Sequence, residues 1–132
     1  MTARFLTPLR AETIGERRWL LIDDLVFLSV KYPGRVVAPR GFQTDLASIP
    51  RLAWSVFPRV GKQDKAAVIH DAAYGNALVT EHGDRVFTVK AVADAWFLEA
   101  MLAEGVGAWS ARWMYTTVKC FGDPVGHPLR NR

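Results

Sequence analysis

The fold is decided by the change of pattern around one stretch in the middle of the chain, Lys62-Gln63-Asp64-Lys65-Ala66-Ala67-Val68-Ile69-His70-Asp71-Ala72-Ala73-Tyr74. This stretch is rich in alanine and is followed by Gly75-Asn76, a typical helix C terminus, so it predicts a helix over 62–74. Residues before 48 read as strands, and later residues read as helices. The order indicates an α+β fold, with a small antiparallel sheet from the N-terminal third packed with three main helices.

The strand region contains two β-rich runs on either side of Asp23-Asp24, over residues 17–22 and 25–30. Aspartate tolerates left-handed backbone geometry, so this pair predicts a tight hairpin turn between the two runs. A second turn is expected at 32–34, before another strand at 35–39. Glycine and proline then precede a short extended piece at 42–44.

The helical region is expected to begin with a short helix from Ser48 to about residue 57, with Ser48 at its N terminus. A longer helix is predicted from 89 to about 103, with Thr88 as its capping residue. Ser110 is the expected cap of a final helix that runs through Cys120. A loop or small hairpin at 77–88 separates the first long helix from the second.

The composition describes one globular domain. The chain has 132 residues, 50% of them hydrophobic, with a net charge of +4. We expect a single domain over 1–124 and a weakly ordered basic tail over 125–132. One cysteine, Cys120, excludes an internal disulfide framework and a Cys-rich zinc module, and without a neighbouring histidine it is not expected to be catalytic. No apolar run reaches the roughly 20 residues that cross a bilayer, so no membrane span is expected.

The charge pattern and the aromatic residues limit the classes of partner that we expect for this protein. We find no block of like charges and no basic amphipathic helix, which makes nucleic-acid binding the least favoured function class. The large aromatic side chains are most simply core residues, and an alternative is that part of this set lines a groove for a partner. That set is Trp54, Trp96, Trp109 and Trp113 with Phe57, Phe97 and Phe121.

One face of the predicted 62–74 helix is unusually polar. Ala67, His70, Asp71 and Tyr74 fall at i, i+3, i+4 and i+7 and therefore share that face. An alanine-rich helix usually covers its exposed side with Lys, Glu or Gln, so this face is expected to turn toward another part of the protein. Asp94 repeats the anomaly in the next long helix, where it is the one acid in the otherwise apolar segment 91–98.

The first interpretation of these residues is a metal site. If Asp45, His70, Asp71 and Asp94 converge, one imidazole and three carboxylates form a set that suits zinc or manganese. A bound cation lowers the pKa of its water, so the same set would serve a divalent-metal-dependent hydrolase. Here Tyr74 or Ser48 would orient the substrate or an oxyanion.

Two other interpretations remain open. In a metal-free site, Asp45 or Asp94 orients His70 as a general base, and Tyr74 or Ser48 is a hydrogen-bond donor. In a purely structural arrangement, Asp45 caps the helix that opens at Ser48. Asp71 then bonds a backbone amide in a neighbouring loop, and His70 bonds Asp94 across two helices because buried polar groups need partners.

These residues also carry a family resemblance. The chain resembles a small family encoded by tailed bacteriophages and prophages and catalogued as a domain of unknown function. The matching segments are Gly41-Phe42-Gln43-Thr44-Asp45-Leu46-Ala47-Ser48-Ile49-Pro50-Arg51, Ala66-Ala67-Val68-Ile69-His70-Asp71-Ala72-Ala73-Tyr74, Ala93-Asp94 with Phe97 and Glu99-Ala100-Met101, and Tyr115 through Val118 with Phe121-Gly122.

The resemblance implies expression in a bacterial host and a place in the host cytoplasm or in the virion. It also implies phage structural proteins as partners and a cell-wall or other small substrate, and it supplies no established reaction. The family pattern singles out Asp45, Ser48, Pro50, His70, Asp71, Tyr74 and Asp94. Where the resemblance would place an arginine shortly before Ala93-Asp94, this chain has Lys90.

Overall fold

The computed structural model describes residues 2–16, 18–31, 34–44 and 63–121, with side chains through Lys119. In this part of the chain, two three-stranded antiparallel sheets precede three helices, which confirms the predicted α+β class. The strands are β1 Arg4–Phe5, β2 Ala11–Gly15, β3 Arg18–Leu21, β4 Leu25–Leu28, β5 Arg35–Ala38 and β6 Gln43–Thr44. The helices are α1 Asp64–Tyr74, α2 Lys90–Ala103 and α3 Ala108–Phe121.

The two sheets have the strand orders β1-β4-β5 and β2-β3-β6. The expected hairpin at Asp23-Asp24 is therefore wrong, because β3 and β4 belong to different sheets. Between β3 and β4, both aspartates bond to segments that are distant in sequence. Asp23 accepts a hydrogen bond from Arg10 at 2.6 Å, and Asp24 accepts one from the Arg40 amide at 2.7 Å. The two carboxylates hold the chain where it passes from one sheet to the other.

The turn between β4 and β5 is a hairpin, as expected. Gly34 has a φ of +90°, a left-handed conformation that favours glycine, and its carbonyl accepts the Ser29 amide at 2.6 Å. Val79 extends this sheet beyond β5, because it bridges Val37 on one side and Arg85 on the other. The small hairpin predicted within 77–88 is thus present and covers the edge of β5.

Helix α1 is central to the packing. It contacts β4 and β5 of the first sheet, β6 of the second sheet and, most extensively, α2. Eight of its eleven residues are buried, as expected for a helix that is enclosed on nearly every side. Its alanines leave room for close neighbours, and its C terminus follows the prediction, since Asn76 has a φ of +53° directly after Gly75.

The helix starts differ from those expected. The residue that caps α2 is Val89, without a side-chain cap, and the Thr88 hydroxyl donates instead to the Val89 carbonyl at 3.4 Å. Helix α3 begins at Ala108, so Ser110 lies inside its first turn. Capping by Thr88 and Ser110 is therefore wrong. The predicted helix from Ser48 and the tail at 125–132 lie outside the described residues.

Candidate functional site

The polar face predicted on α1 is turned into the protein. His70 is 1% exposed and Tyr74 is 6% exposed, although both carry groups that need hydrogen-bond partners. Asp94, on α2, is equally buried at 1%. The tight contact between α1 and α2 brings these three side chains together.

The centre of this cluster is the Asp94 carboxylate. His70 Nε2 lies 2.7 Å from Asp94 Oδ1, and the Tyr74 hydroxyl donates to the same oxygen at 2.9 Å. An ionised carboxylate only accepts hydrogen bonds, so the His70 ring carries a proton on Nε2. In the neutral ring, Nδ1 is then the nitrogen with the basic lone pair.

Lys90 completes the cluster. Its ammonium donates to Asp94 Oδ2 at 2.6 Å and to the carbonyl oxygens of Val118 and Lys119 at 3.2 Å and 3.3 Å. These carbonyls belong to the last turns of α3, where the helix dipole favours a cation. A single side chain thus links the buried carboxylate to the C-terminal end of α3, and the cluster joins all three helices.

The contacts set the ionisation of the cluster. Burial by itself raises the pKa of the Asp94 carboxyl, but hydrogen bonds from His70, Lys90 and Tyr74 outweigh that effect and lower the pKa below its ordinary value of 3.8. Burial, together with the hydrogen bond to Asp94 and its negative charge, raises the pKa of Tyr74 far above its ordinary value. At neutral pH the carboxylate is therefore ionised and the phenol keeps its proton.

Apolar and aromatic groups surround the imidazole. The ring centroid of His70 lies 4.3 Å from that of Tyr74 and 5.0 Å from that of Phe97, which is fully buried. These rings restrict the imidazole to one orientation and keep water away from the hydrogen bond to Asp94. Dry surroundings strengthen that hydrogen bond.

Asp71 has a different partner from its neighbour His70. Its carboxylate accepts a hydrogen bond from the Thr44 hydroxyl of β6, which ties α1 to the second sheet. Asp45 follows Thr44 directly in the chain, but Asp45 and Ser48 lie outside the described residues. Of the four predicted ligands, the structure brings His70 and Asp94 together and gives Asp71 a contact at the residue before Asp45.

The described residues give little support to the hypothesis of a metal site. No group of three His, Cys, Asp or Glu side chains that could hold a metal ion occurs among them. The Lys90 ammonium also lies on Asp94, where a divalent cation would meet an existing positive charge.

Lys90 is the part of the site that sequence reasoning missed. In the sequence, Lys90 stands where the family resemblance would place an arginine, and that comparison does not pair it with Asp94. Residues four apart on a helix are neighbours, so the Lys90 and Asp94 spacing carried the signal. Its hydrogen bonds to the carbonyls at the end of α3 could not be inferred from the local sequence, because the two helices meet only in the folded protein.

The aromatic prediction divides in two. Trp96 and Phe97 are core residues, as expected. Trp109 is 91% exposed and Trp113 is 40% exposed, so their assignment to the core is wrong. Both lie on the outer side of α3, where no other described element covers Trp109. Trp54 and Phe57 and the side chains of Cys120 and Phe121 lie outside what the structure describes.

The comparisons with known proteins give one match. A family model described only as a protein of unknown function matches residues 19–118, about three quarters of the chain. No curated protein and no solved structure matches the chain. In the described segments, no helix has both the length and the apolar character needed to span a bilayer.

Proposed function

The chain belongs to the family described as protein of unknown function DUF1353, and because that description names no reaction, we propose a function from the geometry of the site. The proposal is a hydrolase in which His70 is the general base. One observation carries it: a buried imidazole whose Nε2 lies 2.7 Å from a buried carboxylate oxygen of Asp94.

The roles of the residues follow from this contact. Because Nε2 donates to Asp94, the proposal assigns proton transfer to Nδ1: once substrate binding admits a water to this buried side chain, Nδ1 takes the proton of the attacking water and returns it to the leaving group. Asp94 fixes the tautomer and stabilises the imidazolium that forms, and Tyr74 and Lys90 hold the carboxylate in place. A positioned general base of this kind contributes about 10²- to 10⁴-fold in rate.

A divalent cation fits this proposal at Asp71 rather than at Asp94. Asp94 is held by His70, Tyr74 and Lys90, whereas the Asp71 carboxylate is bonded to Thr44, the residue that precedes Asp45 in the chain. Zinc or manganese held by Asp71 and Asp45 would polarise the bond to be cleaved. Ser48 would supply a further hydrogen-bond donor.

We also propose a class of substrate. The resemblance to tailed-phage proteins supports a cell-wall peptide or a phosphoester as the cleaved compound. It also supports action in the bacterial host cytoplasm or from the virion.

The test is hydrolysis by the purified chain of a panel of cell-wall peptides, phosphoesters and simple carboxylic esters, with added manganese or zinc or with chelator. His70→Gln is expected to lose at least about 10²-fold in kcat on any substrate that is cleaved. The matched control is His82→Gln, which replaces an exposed histidine near Glu81 and is expected to leave kcat unchanged. Equal rates for the two variants contradict the proposal.

A second candidate is a non-enzymatic virion or tail assembly component, in which the cluster braces the helices. The observation that favours it is Lys90, because its bonds to Asp94 and to α3 stabilise the packing of three helices without any substrate. In this case His70→Gln lowers stability, and neither wild type nor variant cleaves any compound of the panel. Stable binding of the chain to phage structural proteins, measured by co-sedimentation, would then support the assembly role.

A further inference from the structure

Helix α3 has two contrasting faces. Ala111, Met114 and Val118 are buried and pack on the core. On another side, Trp109, Arg112, Trp113 and Thr116 follow at i, i+3, i+4 and i+7 and are all exposed. We call these four residues, with Ala108, the outer α3 face. Together they line a surface concavity of about 480 Å³.

The exposure of Trp109 is not explained by packing within the described part of the chain. Trp109 leaves 91% of its surface in water, although a tryptophan contributes most to stability when it is buried. Clusters of exposed apolar side chains rimmed by polar residues commonly mark interaction sites. The almost fully exposed Trp109, with Arg112 next to it on the same face, therefore indicates a bound partner.

The charges on α3 indicate which partner. Its charged side chains are Arg112 and Lys119, both exposed, and the helix sequence contains no Asp or Glu. The chain as a whole has a net charge of +4. Tryptophan side chains favour the headgroup region of a bilayer, and arginine and lysine are attracted to anionic lipids. Contrary to the expectation from the sequence, α3 is thus an amphipathic helix with only basic charges, and such helices with exposed aromatic residues are typical of those that lie flat on a lipid surface.

We propose that the outer α3 face binds the surface of an anionic lipid bilayer, with Trp109 and Trp113 at the level of the headgroups and Arg112 on a lipid phosphate. The proposal concerns a surface distinct from the His70–Asp94 cluster and does not depend on the proposed hydrolase. It requires peripheral binding only, since no described helix spans a membrane.

The test is co-sedimentation of the full chain with vesicles of phosphatidylcholine, with and without phosphatidylglycerol. Binding is expected for the anionic vesicles and is expected to weaken in high salt, because salt screens the attraction between Arg112 or Lys119 and the lipid. The double variant Trp109→Ser/Trp113→Ser should bind at least about tenfold more weakly, since two interfacial aromatic side chains are lost. Arg112→Glu should lose binding to anionic vesicles in particular.

The matched control is Ile14→Ser, which removes an exposed apolar side chain from β2 and is expected to bind as wild type does. Circular dichroism of each variant verifies that the fold is kept. Three results overturn the proposal: no sedimentation with anionic vesicles, equal sedimentation of wild type and the double variant, or lipid-free self-association that the double variant abolishes. The last result would identify a second copy of the chain as the partner.

Discussion

The Asp94 cluster and the outer α3 face both depart from the usual division between an apolar interior and a polar surface, but they do so in opposite ways. In the cluster, ionisable groups are buried and each contact satisfies another buried group. On the outer α3 face, tryptophan is exposed and Trp109 contributes little to the packing. The comparison teaches that substitutions inside the cluster should affect folding strongly, whereas those on the outer face should affect binding and leave folding nearly unchanged.

Within the Asp94 cluster, the largest expected effect comes from Asp94→Ala. This change leaves the Lys90 ammonium and the His70 and Tyr74 donors without their acceptor, and we expect a loss of about 3 kcal/mol in the free energy of unfolding. Chemical denaturation measures it. The control is Asp23→Ala, which breaks an exposed ion pair with Arg10 of the same 2.6 Å length and is expected to cost less than about 1 kcal/mol. Similar losses for both variants would show that the Asp94 cluster does not stabilise the fold.

The next largest effect concerns the stability of the protein at acidic pH. Because the pKa of Asp94 is lowered in the folded protein, its ionised form contributes stability above the ordinary pKa of 3.8, and this contribution is lost as pH falls through the folded-state pKa. The stability difference between wild type and Asp94→Asn should therefore be constant near neutral pH and shrink below about pH 4. Denaturation curves across this range measure the difference. A difference that persists unchanged to the lowest pH contradicts the lowered pKa.

A smaller effect is expected from Tyr74→Phe, which removes one hydroxyl and keeps the ring beside His70. The loss of its hydrogen bond to Asp94 should cost about 1 kcal/mol, because Lys90 and His70 still satisfy the carboxylate. Thermal or chemical unfolding measures the change. Tyr115→Phe, on a partly buried ring of α3, is the matched control and should be close to neutral. An equal loss in both variants would show that the effect of removing the hydroxyl is not specific to the Asp94 cluster.

The smallest effect on folding is expected from Trp109→Ser on the outer α3 face, within about 0.5 kcal/mol of wild type. Trp96→Ala, which empties a fully buried position, should by contrast cost about 3 to 5 kcal/mol. Unfolding curves of the two variants give the comparison directly. A marked destabilisation by Trp109→Ser would mean that the Trp109 indole packs on the protein and is not accessible to a partner.

Much of the fold was readable because local signals and tertiary structure agree. Helix α1 ends before the Gly75-Asn76 pair and α2 ends at Ala103, both where expected, and the β-rich runs all contain strands. The Asp23-Asp24 hairpin failed because a turn signal tells where the chain bends but not which strands pair afterwards. In the structure β3 pairs with β2 and β6, and β4 pairs with β1 and β5, so the partners of both strands include segments that a local turn signal does not identify.

The candidate site was predictable in part for the same reason. Polar residues on an alanine-rich helix and a lone acid in an apolar segment both require buried partners, and the expected bond between His70 and Asp94 is present. Lys90 was missed because its bonds to α3 depend on how two helices pack. The exposure of Trp109 was missed because aromatic side chains occur on several sides of α3, so periodicity alone does not identify the buried one.

Val79, which bridges Val37 of β5 and Arg85, lies at a sheet edge where another molecule could otherwise add a strand. Strand β5 would otherwise end its sheet with unpaired amides and carbonyls, a surface that can recruit a strand from another molecule. Val79 occupies this edge through two backbone hydrogen bonds with Val37, and Arg85 returns to hold Val79 from the far side. Val79 thus pairs the amide and carbonyl of Val37, and a change that displaced Val79 would leave these groups open to a strand from another molecule.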